Sequence, residues 1–207
     1  MSIKIDNMLN IGSIVKTRTS IADLMVIGYT NIENDILYDY IGCPYPVGII
    51  NSTQVITFNN DDIEEVVANG YSNGSEQQFK ENYLKALSEM ENYEKYENNQ
   101  KKIDKEKEYL PAMFDIQRLL PIGAVVKVAK DNENKYMITS NLMEKDGLMY
   151  DYMAAKYPIG IYSLDSNCFF NDDDITDIYF FGYSIDPNYI KKAIIQNIYK
   201  EKNIHIG

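Results

Sequence analysis

Ile11-Gly12-Ser13-Ile14-Val15-Lys16 returns later in the chain as Ile122-Gly123-Ala124-Val125-Val126-Lys127, an offset of 111. From Met25 onward the offset is 112, so one single-residue length change between Lys16 and Met25 aligns the remainder of the unit. Tyr38-Asp39-Tyr40 then matches Tyr150-Asp151-Tyr152, and Tyr45-Pro46-Val47-Gly48 matches Tyr157-Pro158-Ile159-Gly160. Phe58-Asn59 matches Phe170-Asn171, Asp62-Ile63 matches Asp174-Ile175, and Gly70-Tyr71 matches Gly182-Tyr183. Solenoid units repeat every 20–50 residues or so, which makes a repeat of this length a duplicated domain. Duplication also provides an internal comparison. What both copies keep reads as structural, and what one copy lacks is not shared chemistry.

Within each copy the pattern is that of short strands. Residues 13–17 and 124–129 open the units, and the apolar runs 24–29 and 136–139 follow across polar stretches suited to hairpin loops. The third segment, 36–43 or 148–155, places Ile36, Tyr38 and Tyr40 on one strand face and Leu37, Asp39 and Ile41 on the other. Pro44 and Pro46 end it in the first copy, while the second keeps only Pro158, so Tyr-Pro-x-Gly is the shared turn. A fourth strand ends at Phe58-Asn59 and Phe170-Asn171. Asn59 with Asp62, and Asn171 with Asp174, resemble helix caps. Ile63, Val66 and Val67 have helical spacing for one turn, before a closing strand over 67–71 or 179–183. Four strands, a helical turn and a fifth strand predict a small SH3-like barrel.

Between the copies, Phe79, Tyr83, Leu84, Leu87, Met90 and Tyr93 recur at three- and four-residue intervals, predicting a helix from 77 to about 110. Asn98-Asn99-Gln100 interrupt the stripe, and Pro111 marks its end. Near the C-terminus, Asp186-Pro187 is an N-cap signature ahead of Ile190, Ile194 and Ile198. The fold class is α+β, mainly β: two duplicated SH3-like barrels, each followed by an amphipathic helix. Its divisions are a first β repeat (1–75), a helical connector (76–110), a second β repeat (111–185) and a C-terminal helix (186–207). The helices either cover their own β units or present a stripe to a helical partner.

Composition narrows the function. The 207 residues carry a formal net charge of −11, which opposes nucleic acid and anionic membrane surfaces, because phosphate binding needs clustered Lys and Arg. The Lys101, Lys102, Lys105 and Lys107 run is interleaved with Asp104, Glu106 and Glu108, a solvated helix face. No run approaches the roughly 18 apolar residues of a membrane span, and residues 1–6 lack a signal core. A cytoplasmic protein without membrane insertion is expected. Cys43 aligns with Ala155 and Cys168 with Ile56, so the two thiols read as small core residues in a reducing compartment.

Chemistry is sparse. The lone histidine, His205, supports no Cys–His or Ser–His–Asp set, and there is no P-loop, dinucleotide fingerprint or metal-ligand cluster. No cofactor, metal or catalytic residue is assigned. Asp39 and Asp151, each flanked by tyrosines, either form a raised-pKa base or bond turn amides and tyrosine hydroxyls. Asp172-Asp173-Asp174 lacks the spacing of a Ca²⁺ loop and reads as a cap. With 18 Tyr and no Trp, tyrosine either lines a recognition surface or fills the cores. The candidate partner contacts are Tyr38, Tyr40, Tyr45 and Pro46, with Tyr150, Tyr152, Tyr157 and Pro158 in the second copy.

Ile11-Gly12-Ser13-Ile14-Val15, Tyr38-Asp39-Tyr40-Ile41-Gly42, Tyr45-Pro46-x-Gly48 and Phe58-Asn59-x-x-Asp62-Ile63-x-x-Val66-x-x-x-Gly70-Tyr71 together resemble the family catalogued as domain of unknown function 4176, found in Firmicutes. The resemblance covers roughly residues 9–72 and 120–184, departing at Ala154-Ala155 and Thr139-Ser140. It implies the company of type VII secretion substrates, including LXG-type toxins and their small helical partners, and carries no catalytic residues. The expectation is a non-enzymatic, chaperone-like or targeting protein whose partner is a secreted toxin or a small helical secretion factor. An immunity protein and a small hydrolase built on Asp39 or Asp151 are the alternatives. The sequence leaves the oligomeric state open.

Overall fold

A computed structural model describes residues 7–33, 36–50, 55–89, 119–163, 166–183 and 203–204. The first copy contains β1 (Ile14–Thr17), β2 (Leu24–Glu33), β3 (Ile36–Pro44), β4 (Ile56–Phe58) and β5 (Ile63–Ala68), then helix α1 (Ser75–Glu89). The second contains β6 (Val125–Val128), β7 (Asp131–Lys145), β8 (Leu148–Tyr157), β9 (Cys168–Phe170) and β10 (Ile175–Phe180), with β11 (Asn203–Ile204) closing the described chain. Each copy forms one antiparallel five-stranded sheet, ordered β4-β3-β2-β1-β5 and β9-β8-β7-β6-β10, and β11 adds to the latter in parallel beside β10. The two halves are alike and mainly β.

The duplicated motifs fall where the sheet turns or ends. A 3-10 turn enters each last strand, at Asn60–Asp62 and Asp172–Asp174. The Asn59 amide donates to the Asp62 carboxylate at 2.9 Å, and Asn171 to Asp174 at 2.9 Å. Asp and Asn therefore satisfy donors that a short helix leaves open. The spacing of Ile63, Val66 and Val67 is not helical, a correction to the sequence reading. These residues lie in β5, where bulges against β1 pair Lys16 with Glu65 but Thr17 with Ile63. Bulges break two-residue alternation, and a broken alternation imitates helical spacing.

Helix α1 packs its predicted stripe on its own β unit: Phe79, Tyr83 and Leu84 lie against the core, with Phe79 and Tyr83 rings 5.5 and 5.6 Å from Tyr29. The connector from 90 to 110 and the stripe of Ile190, Ile194 and Ile198 lie outside the described residues. Residues 203–204, expected in the C-terminal helix, are strand, because β10 offers an edge to pair with.

The larger core cluster crosses between copies. It joins Ile11, Met25, Ile27 and Ile49 to Ile122, Met137, Tyr157 and Ile161. The seam obeys the sequence offset. Ile49 N donates to Thr139 O at 3.1 Å, and Ile161 N donates to Ile27 O at 2.8 Å. Tyr45 OH donates to Tyr183 O, as Tyr157 OH does to Tyr71 O at 2.9 Å. Each contact maps onto the other when the copies are exchanged, the signature of an isologous, two-fold interface. The shared turn serves this seam: both Tyr-Pro bonds are cis, and Gly48 and Gly160 follow at φ +77° and +81°. A Cβ on Gly160 would lie 2.5 Å from Ile27 O, and one on Gly48 2.6 Å from Thr139 O.

Candidate interaction surface

The eight tyrosine and proline candidates divide by burial. Tyr40 and Tyr152 have no exposed surface. The Tyr40 ring lies tilted 5.4 Å from Phe58, and that of Tyr152 tilted 5.5 Å from Phe170. Their hydroxyls reach the chain entering each unit: Leu9 N donates to Tyr40 OH at 3.1 Å and Leu120 N to Tyr152 OH at 2.9 Å. Burial removes these two from the surface a partner can reach. Tyr157, 5% exposed, lies in the seam, where its ring is 5.2 Å from Tyr71. Tyr45 is half-buried opposite Tyr183 at 6.1 Å, and burial pushes its hydroxyl pKa up to about 12. Pro46 is exposed; Tyr38, Tyr150 and Pro158 are half-buried. The structure thus gathers Tyr45 and Tyr157 into one seam with Tyr71 and Tyr183, and assigns Tyr40 and Tyr152 to the two cores.

Asp39 and Asp151 hold the same post in both copies. The Asn60 amide donates to Asp39 Oδ2 at 3.0 Å and the Asp172 amide to Asp151 Oδ2 at 2.9 Å. In return Asp39 N donates to Asn59 Oδ1 at 3.1 Å, and Asp151 N to Asn171 Oδ1 at 3.2 Å. The pair of bonds clasps the third strand to the 3-10 turn. Bonding of turn amides, one of the two roles read from the sequence, is the role the geometry supplies.

A buried carboxylate that the sequence did not flag is Glu76, 7% exposed at the start of α1. It accepts from Ser72 Oγ, from Asn73 N at 3.2 Å and from Tyr157 OH of the other copy at 3.1 Å. Burial pushes its pKa up, but the Ser72 hydroxyl and first-turn backbone amides outweigh it and hold it at about 2. Glu76 therefore caps the helix and locks it to the seam. Lys80, one turn on, donates to Met8 O. Cys43 is buried and Cys168 half-buried, and both are free thiols; burial raises Cys43 to about 12.

Two surface features remain open. The long β7–β8 hairpin ends in exposed Leu148 and Met149, beside Leu142. The other is a groove of about 710 Å³ lined by β5 residues 63–66, by residues 7–10 and by the polar Asn60, Asn69, Ser72 and Lys80. Lys16 bonds Glu65 across the surface at 2.6 Å. Among the described residues no helix is long and apolar enough to cross a membrane, and no cluster of three or more His, Cys, Asp or Glu is placed to hold a metal.

A family model described as domain of unknown function (DUF4176) matches the chain twice, over residues 8–79 and 119–188. No curated protein and no solved structure matches.

Proposed function

The chain belongs to the DUF4176 family, whose domain it carries in tandem, and from that premise we propose that it is a non-enzymatic protein-binding module. The observation that carries the reading is how the repeated polar groups are used. Asp39, Asp151, Asp62 and Asp174 accept backbone amides of the 3-10 turns, and the repeated tyrosines hold the cores and the seam. Among the described residues the large apolar side chains left exposed include Ile21, Tyr162, and Leu148 and Met149 at a hairpin tip, and a groove of mixed polar and apolar lining runs beside β5. Apolar side chains presented beside open sheet edges suit recognition of another chain.

The partner in this proposal is a type VII secretion substrate or a small helical secretion factor, with the chain acting as a cytoplasmic chaperone or targeting factor. Its charge of −11 suits a basic partner and gives salt-sensitive encounter. The barrel is proposed as SH3-like: the strand order 4-3-2-1-5, with a 3-10 turn entering the last strand, supports that topology in an open form.

Affinity capture of the tagged protein from its host at low salt, followed by mass spectrometry, tests the reading. Recovery of a secreted toxin or helical secretion factor supports it. Truncating that partner then separates a chaperone, which holds the export region, from an immunity protein, which holds the toxic domain. Empty capture at low salt opposes a binding role.

A further inference from the structure

We infer that the seam is keyed by one pair of residues, Gly28 and Ser140, which makes the face of each copy specific for the unlike copy and disfavours pairing of like with like. This specificity belongs to the contact between the copies and stands apart from the protein-binding reading.

The two residues hold equivalent places. The 112-residue offset carries Gly28 onto Ser140 and Ile49 onto Ile161. Each of the pair stands just past the same bulge, Gly28 opposite Ile41 in the first sheet and Ser140 opposite Met153 in the second. Each also meets the equivalent carbonyl of the other copy, but by different means. Ser140 Oγ donates to Ile49 O within the buried seam. A Cβ on Gly28 would lie 2.4 Å from Ile161 O, closer than real Cβ atoms come, so only glycine lets that carbonyl approach. The turns are spaced to match. A Cβ on Gly160 would lie 2.9 Å from Gly28 Cα, and one on Gly48 3.4 Å from Ser140 Cα. One side of the seam is tight and free of side chains, and the other is wider and bridged by a hydroxyl.

A like pair cannot reproduce this arrangement, because two-fold symmetry gives it the same spacing on both sides. With glycine on both, neither carbonyl meets a hydroxyl and small voids take its place. With serine on both, each turn must stand off, and the close packing of the Gly28 side is lost. The consequence reaches the whole molecule. A chain with two self-complementary faces can join its neighbours through like pairs, first to first and second to second, in open-ended strings. A key that favours the unlike pair closes the seam within one chain, where the matching face is already tethered.

Two single variants of the full-length protein install the keys of the like pairs in an otherwise native seam. Gly28→Ser puts serine on both sides, and Ser140→Gly puts glycine on both. The double variant reverses the key and restores an unlike pair. Urea titrations of these three chains and the wild type form a double-mutant cycle. Each single variant should lower the folding equilibrium constant about tenfold or more, and the double variant should recover most of what Gly28→Ser loses. If Gly28→Ser does not fold, a folded double variant gives the same support, and a double variant that stays unfolded overturns the key. Losses that simply add overturn it as well, since each residue then only fits its own surroundings. So does either single variant that is as stable as the wild type.

Discussion

At the residue scale, one carboxylate and two clasps set the polar energetics. Glu76 is held at about 2, below the roughly 4.3 of an unfolded-chain glutamate. Its folded pKa is depressed, so the unfolded state binds the extra proton and the carboxylate stabilises the fold above pH 4.3 or so. That contribution fades as pH falls toward 2. Glu76→Gln should lower the unfolding free energy read from urea titration by about 1–2 kcal/mol at pH 7, and hardly at all at pH 2. Asp151→Ala removes the acceptor of the Asp172 amide and should cost about 0.5–1.5 kcal/mol. In affinity capture the same variant should retain its partner; lost binding with intact folding would point to a direct role for the carboxylate. The caps were legible in the sequence because Asn59 and Asp62 recur as Asn171 and Asp174. Glu76 was not, since Asn188 stands at its equivalent position and the repeat flagged nothing there.

At the element scale, the strands and turns were legible and their faces were not. Alternation groups Tyr38 with Tyr40, but it does not say which side meets the core, and here Tyr40 is buried while Tyr38 is half-buried. The seam was present in the sequence in another form. Tyr45, Gly48 and Tyr71 recur in the second copy, although an isolated small barrel needs no tyrosine ahead of a glycine turn. Gly160 shows what the turn requires. Gly160→Ala should cost about 1–2 kcal/mol for a side chain at positive φ and a further ~1–3 kcal/mol for the clash with Ile27 O. Gly147→Ala has a similar φ of +77° and nothing within 4 Å, so it should cost only the first amount. Urea titrations of the two variants separate the backbone cost from the seam contact. Tyr157→Phe should destabilise more than Tyr45→Phe, because the Tyr157 hydroxyl serves both Tyr71 O and Glu76, whereas Tyr45 is only half-buried.

At the scale of the whole molecule, duplication has produced one body rather than two beads. Units of this size bury too little surface to be robust alone, and the cross-copy cluster from Ile11 to Ile161 supplies the missing core. Pairing about a two-fold axis also draws Tyr45 and Tyr157 of both Tyr-Pro-x-Gly turns into the seam, so the proposed binding role has to use surface outside it. If the copies came apart readily, Tyr45 and Tyr157 would again be open to a partner, so the functional reading depends on the seam. Native-state hydrogen exchange over a denaturant series measures this directly, through the matched buried amides Val26 and Ile138 and the seam amides Ile49 and Ile161. One shared opening free energy for all four is predicted, as in a single cooperative unit. Two separate plateaus, one for each copy, with the seam amides exchanging below both, would contradict it.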